Sequence, residues 1–409
     1  MLSVSEARAR ILAHFHPLPA ERIALSEALG RVLCCDFAAD ADLPPFDNAS
    51  VDGFAVRAED VAAAAPQSPV TLRVVADIPA GSPTQTVILP GQAARIMTGA
   101  PMPPGANAAV MVEHTDFHDR TPGAAAPETV QIYQPARHGE NVRRRGSDLV
   151  AGQVVLPGSR RLRPQDLGLL GMLGAAHVEV HRQPRLALLS SGDELLPIDA
   201  PLTPGKVRDA NSTSLAALAA QSGAQVLPLG VAADNAEDVH SRLDRAVAMG
   251  ADLIVSSAGV SVGAFDFIKS VVESNGGIDF WKVDMRPGKP LAVGTYRGVP
   301  FIGLPGNPVS AFIGFMVFVQ PALERLSGLS GQPRNIRRVR TGEAIESDGR
   351  ESYLRAIVTQ EDGEWVARLT GHQGSGNLLS LVQANALLIV PSGVKSVPPK
   401  AELDAWLFQ

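Results

Sequence analysis

Between residues 183 and 327, short apolar runs alternate with amphipathic ones at a spacing that few folds accept. RLALLSS, AQVLPLGV and DLIVSSAG read as strands. STSLAALAAQSG, AEDVHSRLDRAVAMG and FDFIKSVVESNG read as helices, with Val239, Leu243 and Val247 on one face of the second. FWKVDM, PLAVGTY and VPFIGLPG follow as strands, and an apolar helix starts near 308. This alternation predicts βαβ units and a mainly parallel sheet with helices on both faces. A single core rarely grows past about 250–300 residues, so a chain of 409 residues must hold further domains.

The flanks supply them. Residues 3–16 read as a helix: Ser3 and Glu6 have capping-box spacing, and Val4, Ala7, Ile11 and Phe15 share a face. A second short helix is expected near 22–30, ended by Gly30. From about 42 to 150 the pattern is all β, with VTLRVVADI and ETVQIYQPA between Pro/Gly turns. RPQDLGLLGML (163–173) is helical again, with Pro164 in its first turn, so the β region is inserted between helical pieces. After 327–332 the chain is β once more. YLRAIVTQEDGEWVARL reads as a hairpin turning at Asp362-Gly363, within a small barrel or sandwich.

Composition removes some function classes. A net charge of −6 argues against a nucleic-acid partner, without excluding a local anion site. The only cysteines, Cys34 and Cys35, are adjacent, with no second pair to complete a zinc site, as in a reducing cytosol. The N-terminus is not a signal peptide and no uninterrupted apolar run has membrane-span length, so a soluble cytoplasmic protein is expected.

In open α/β sheets, ligands bind beyond the carboxyl ends of the strands. Four segments leave from such ends: SSGDEL (190–195) with Asp193 and Glu194, the stretch around Asp234, SSAGVSVGAFD (256–266) with Ser257, Gly259 and Asp266, and the corner GLPGNPVSA (303–311). Each has a plain reading. Asp234 with Glu237, and Asp266, are spaced as helix caps; Asp193-Glu194 is a solvated pair; the glycine-rich loop is a tight crossover. Together they put several carboxylates and amide-rich loops on one rim. Mg²⁺ prefers carboxylates completed by phosphate and water, and small residues let backbone amides approach an anion. KVDMRPGKP (282–290) adds Lys282, Arg286 and Lys289. In the corner, Pro305 and Pro308 stiffen the turn, Gly306 frees it locally, and Asn307 precedes a helix in which Pro308 takes the first turn; its amides are expected to face the rim. Elsewhere, FDNASVDGFAV (46–56) holds Asp47, Asn48 and Asp52, RIMTGAPMPPGAN (95–107) is turn-rich, and NVRRRGSDL (141–149) joins Arg143, Arg144 and Arg145 to Asp148. These loops are either turn formers or carriers of function.

With TGHQGSG (370–376), these stretches resemble the molybdopterin molybdenumtransferases of molybdenum-cofactor synthesis, bacterial MoeA and the gephyrin E domain, in order and over nearly the whole chain. The resemblance implies a multidomain α/β plus β protein. A helical linker domain (1–41 and 150–181) is split around an inserted β domain (42–149); a molybdopterin-binding α/β domain (182–329) and a C-terminal β-barrel (330–409) follow. It implies a homodimer with each site between subunits, and Mg²⁺-dependent cleavage of adenylylated molybdopterin, with AMP leaving and molybdenum placed on the dithiolene. Transient contact with the adenylyltransferase is also implied. By family position it implicates Asp52, Thr98, Arg143, Asp148, Glu194, Asp234, Asp266, Lys282, Arg286, Pro305, Pro308, Arg355 and Ser375. Glu194, Asp234 and Asp266 are the metal candidates, Lys282, Arg286 and Lys289 the anion holders, and Asp52 and Asp148 act at the molybdate side. The chain departs from the family's common residues at Ala258 (glycine), Arg286 (lysine) and Ser147 (glutamate). Two rivals differ in class: an adenylyltransferase built on a similar α/β domain, and a receptor-clustering scaffold. The additional β domains oppose the first, and the absence of a long disordered linker opposes the second.

Overall fold

A computed structural model describes residues 1–82, 85–119, 121, 123–258, 267–329, 331 and 334–408. The chain forms two compact units: residues 1–35, 158–171 and 175–409 in one, 36–157 with 172–174 in the other.

The first unit is built on a six-stranded sheet. Its strands are β1 (Arg185–Ser191), β2 (Gln225–Ala232), β3 (Leu253–Ser257), β4 (Gly276–Lys282), β5 (Pro290–Tyr296) and β6 (Val299–Leu304), in spatial order β2-β1-β3-β6-β5-β4. β2, β1, β3 and β6 are parallel; β5 and β4 complete the sheet antiparallel. Alternation along β1 sends Leu186 and Leu188 to one face and Ala187 and Leu189 to the other. The first face packs on α1 (Ala210–Gln221) through Leu215 and Ala219, and the second on α2 (Ala236–Ala248) and α3 (Phe267–Asn275) through Val239, Leu243, Ile268 and Val271. Helices on both faces explain why these strands read as continuous apolar runs.

A helical run from Pro308 to Leu326 fills the first face; it is long and apolar enough to cross a bilayer, yet 72% of its most apolar window is buried inside the fold. It comprises α4 (Pro308–Gly314), a π-helical turn at Phe315–Val319 and α5 (Gln320–Leu326). Pro321 near the start of α5 has no N–H to give to the helical ladder. The N-terminal helix, Val4–Ala13, docks on the same core. Both halves of its capping box form: Glu6 N donates to Ser3 Oγ (3.2 Å) and Ser3 N to Glu6 Oε2 (2.9 Å).

The segment near 22–30 is not a helix. Ala20–Ala24 is a strand paired antiparallel with His177–His181, followed by one 3₁₀ turn at Leu25–Glu27. A pairing partner some 150 residues away outweighs local helical tendency, a tertiary override that no local window registers.

The last strands, β7 (Ile336–Thr341), β8 (Glu351–Glu361), β9 (Glu364–Leu369), β10 (Ala386–Val390) and β11 (Glu402–Leu407), close in the order β8-β9-β7-β11-β10 and back to β8. This is a five-stranded barrel. The β8–β9 turn falls on Asp362 and Gly363, both at positive φ (48° and 83°), as a type I′ hairpin needs.

The second unit carries a five-stranded sheet of Ala108–Met111, Gly53–Val56, Gln92–Ile96, Val70–Ile78 and Thr129–Ile132, in that order. Phe54 and Val56 pack on one side with Leu72 and Val110, and Ala55 on the other with Ile78 and Ile96. At its edge, Asn48–Ala49 pairs with Val142–Arg143.

Candidate active site

A cleft of about 780 Å³ opens in the first unit at the carboxyl ends of β1, β3 and β6. It is lined by Glu194, Ser257, Arg286, Lys289, Pro305, Gly306, Asn307, Pro308 and Ser375 among the residues expected from sequence. Arg208, Asp209, Asn211 and Arg350 join them.

The corner is built as its composition predicts: Asn307 is the N-cap of α4 and Pro308 its first residue. One part of the expectation fails. The Val309 amide does not face open space; it donates to the Ser375 carbonyl (3.0 Å). That bond ties the barrel's 371–375 loop to the corner and brings Ser375 into the cleft. From the other side, Asn211 Nδ2 donates to the Gly306 carbonyl at 2.7 Å. Asn211 Oδ1 is buried with no hydrogen-bond partner among the described residues, an acceptor left over for a donor.

The plain reading of Asp234 as a helix cap is off by one residue. Asn235 caps α2, with Oδ1 accepting from Asp238 N at 2.9 Å. Asp234 instead meets the β1 loop: Asp193 N donates to Asp234 Oδ2 (3.3 Å) and Asp234 N to Asp193 Oδ1 (3.2 Å). Asp234 itself is not a lining residue. Glu194 folds back over Gly192, whose φ is 140°; a Cβ there would lie 2.5 Å from Glu194 Oε2. That carboxylate is the end of a flexible side chain and could swing aside, so it is the positive φ that calls for glycine here.

Beneath the cleft, Ser257 Oγ and Ser190 Oγ lie 2.9 Å apart, Ser190 Oγ and Ser212 Oγ 2.9 Å, and Ser212 Oγ donates to Asp209. Asp209 also accepts from Ser212 N (3.0 Å) as the N-cap of α1. This buried chain joins two strands to a helix, so the Ser257 hydroxyl is already engaged. Asp209 and Asn211 were missed at the sequence level, although the Asp209-x-x-Ser212 spacing is a cap signal just before a helix on the rim.

Arg355 lies behind the cleft, fully buried. Its Nη2 donates to the Gly374 carbonyl (2.9 Å) and its Nε to Ser380 Oγ (3.0 Å), while Nη1 has no partner among the described residues. Burial first, and Arg286 second, push its pKa down to about 10, so it remains a cation at neutral pH. Lys282 ends β4, exposed and off the cleft. Gly259 and Asp266 lie outside the described residues.

Four expected residues belong to the second unit. Asp52 Oδ1 accepts from both Thr98 N (2.7 Å) and Thr98 Oγ1 (2.8 Å). Arg143 pairs with Asp148, to which Ser147 Oγ also donates (3.1 Å). One seam gathers them: Asn48 pairs with Arg143, and Ala49 N donates to the Ala100 carbonyl. The neighbouring arginines are neutralised too, Arg144 by Asp47 (2.7 Å) and Arg145 by Asp42 (2.6 Å). The Arg145 amide, then Arg144, holds the Asp47 carboxyl below its ordinary range. The basic run is therefore charge-balanced rather than a bare cationic patch.

Gly306 approaches Ala258 closely: a Cβ on Gly306 would sit 3.1 Å from Ala258 Cβ. Ala258 itself has φ 75°, unusual for an L-residue. Gly306→Ala is expected to lose about 1 kcal/mol of stability by overpacking. Ala258→Gly should restore most of it, with a coupling of about 1 kcal/mol in a double-mutant cycle read by urea unfolding. Strict additivity would show that the two loops do not touch.

A family model of the MoeA N-terminal region (domains I and II) matches residues 2–174, one of a probable molybdopterin binding domain matches 187–325, and one of the MoeA C-terminal region (domain IV) matches 338–408. The chain is 40% identical over 391 residues to molybdopterin molybdenumtransferase 2 of Mycobacterium tuberculosis, covering 94% of each. It is 39% identical over 380 residues to the molybdopterin molybdenumtransferase of a Nostoc species, covering 91% of this chain and 85% of that one. A crystal structure of the molybdopterin biosynthesis MoeA protein from Pyrococcus horikoshii OT3 superposes with a TM-score of 0.81 at 28% identity, covering 100% of each chain. With matches running from residue 2 to 408, the chain belongs to the MoeA family of molybdopterin biosynthesis proteins.

Proposed function

We propose that the chain is a cytoplasmic molybdopterin molybdenumtransferase that takes adenylylated molybdopterin and molybdate, places molybdenum on the dithiolene sulfurs and releases AMP. The charge of the cleft carries this reading. In a chain of net charge −6, Arg208, Arg286, Lys289 and Arg350 line it against two carboxylates, Glu194 and Asp209. Asp209 is occupied in capping α1 and Arg350 is paired with Asp348, so the cleft presents Arg208, Arg286 and Lys289 against one available acid. Such a lining suits a polyanion such as a phosphoanhydride with an oxyanion beside it.

Arg286 and Lys289 hold phosphate and molybdate oxygens. Gly306, Asn307 and Ser375 bound the pocket beside them, and Asn211 Oδ1 accepts from a ligand N–H or O–H. Glu194 and Asp234, with Asp266, would hold Mg²⁺; the donors are all hard oxygens, and the reciprocal Asp193–Asp234 contacts keep the two loops that carry them together, which fits that ion. When bound, the ion neutralises charge on the departing phosphate. Asp52 and Asp148 serve the molybdate side from a second copy of the chain in a homodimer, and transient contact with the adenylyltransferase supplies the substrate.

The test is AMP release by purified protein given adenylylated molybdopterin and Mg²⁺, with and without molybdate. Release that requires molybdate is the expected result. Consumption of ATP instead would make the chain an adenylyltransferase. Absence of both activities in folded protein would sink the enzymatic reading and leave the cleft as a binding surface.

A further inference from the structure

Away from the cleft, one cluster of metal-ligating side chains stands out among the described residues: Cys34, Cys35 and Glu179. Their ligand atoms all lie within 4.8 Å of one another, and Cys35 and Glu179 are exposed. Backbone pairing assembles them. Leu33 bridges Val180 antiparallel, and Cys34 N donates to the Glu179 carbonyl at 3.2 Å, so the cysteine pair is laid against the strand that carries Glu179. Two adjacent cysteines lack a ligand set within their own segment; the fold supplies the third ligand from 145 residues further on.

The spacing is informative. The two sulfurs are 3.8 Å apart, far beyond the roughly 2.0 Å of a disulfide. In a tetrahedral site with Zn–S bonds of about 2.3 Å, two thiolates stand about 3.8 Å apart, the chord of the tetrahedral angle. Cys34 Sγ lies 4.0 Å from Glu179 Oε2, close enough for a small rotation of an exposed carboxylate to complete a third ligand position.

We propose that Cys34, Cys35 and Glu179 form a binding site for a thiophilic divalent cation, with Zn²⁺ as the ion that fits. Two thiolates and one carboxylate come from the chain, and water takes the fourth position. Both thiols lose their protons on binding, so each Zn²⁺ bound releases two protons, and no electron is transferred. Three protein ligands with an open position are the pattern of an exchangeable site rather than a sealed structural one. Sulfur donors also separate it from any Mg²⁺ in the cleft, because hard cations take oxygen. The site is independent of the proposed activity: it tethers residues 34–35 to the strand His177–His181, whatever the cleft does.

The experiment titrates the full-length reduced chain with Cd²⁺, read by its ultraviolet thiolate charge-transfer band, and with Zn²⁺ against a chromophoric chelator. Saturation near one ion per chain is expected, undisturbed by excess Mg²⁺. Cys34→Ser and Cys35→Ser should each remove most of the band. Glu179→Gln, an exposed change that leaves the core untouched, should weaken Zn²⁺ at least about tenfold. No charge-transfer band with the wild-type chain, a band unaltered in the double Cys34→Ser/Cys35→Ser variant, or unchanged affinity in Glu179→Gln would each overturn the three-ligand site.

Discussion

Arg286→Ala should lower molybdate-dependent AMP release by about 10²–10³-fold, the usual effect of removing one donor aimed at developing anionic charge. The magnitude rests on placement. Arg286 is half-buried, lines the cleft and makes no ion pair among the described residues. The buried cation behind it, Arg355, has its pKa pushed down first by burial and then by Arg286 itself. Two cations thus lie near each other in the ligand-free protein; the carboxylate whose field reaches Arg286, Asp348, is already paired with Arg350, so an anion in the cleft still relieves the arrangement. Removing Arg286 takes away that attraction; the repulsion it relieves at Arg355 offsets the attraction it loses to Asp348, which keeps its own partner Arg350, so the thermal midpoint should hold. Arg286→Lys keeps the charge without the planar fork and should recover part of the rate. The measurement is kcat/KM for AMP release at two salt concentrations, with thermal unfolding as control. A loss below tenfold, or one matched by a falling midpoint, would remove Arg286 from the anion-binding role.

Much of the architecture could be read from local pattern because local physics decided it. The capping box at Ser3, Pro308 opening α4 and the Asp362-Gly363 turn all form as their residue types require. What stayed hidden depended on distant partners. Ala20–Ala24 became a strand because His177–His181 pairs with it. Asp234 was displaced from the cap position by its neighbour Asn235 and met Asp193 across 41 residues. For the arginine run 143–145 the local sequence offers only Asp148 as a counter-charge; the fold brings Asp42 and Asp47 from about 100 residues away to pair with the other two. Within the cleft, the residues on strand-end loops could be proposed from the alternation alone. Asn211 could not: its importance lies in one bond to the Gly306 carbonyl and one acceptor without a partner.

The β4–β5 hairpin makes the same point at finer grain, since two adjacent glycines are predicted to behave oppositely. The hairpin's tip is the 283–289 loop that carries Arg286 and Lys289, closed by Val283 N donating to the Lys289 carbonyl at 3.0 Å. At its far end the strands approach so closely that a Cβ on Gly294 would sit 1.9 Å from the Gly277 carbonyl oxygen, and one on Gly276 would sit 2.0 Å from the Thr295 oxygen. Both obstacles are backbone, which cannot swing aside as a side chain does. A Cβ on Gly277 meets nothing within 4 Å. Gly294→Ala should therefore cost about 3 kcal/mol, at the upper end of ordinary overpacking. In a domain of this size that lowers the unfolding midpoint by about 6–12 °C. Gly276→Ala should do nearly the same, and Gly277→Ala should shift the midpoint by at most a degree or two, since it meets no atom and none of these glycines has a positive φ. Calorimetry of the three variants decides the matter. Equal shifts for Gly276→Ala and Gly277→Ala would mean that backbone entropy, not steric approach, sets the effect. An unmoved midpoint for Gly294→Ala would mean that the hairpin has enough slack to spread, and the loop bearing Arg286 would then lack the rigid base that an anion-binding arginine needs.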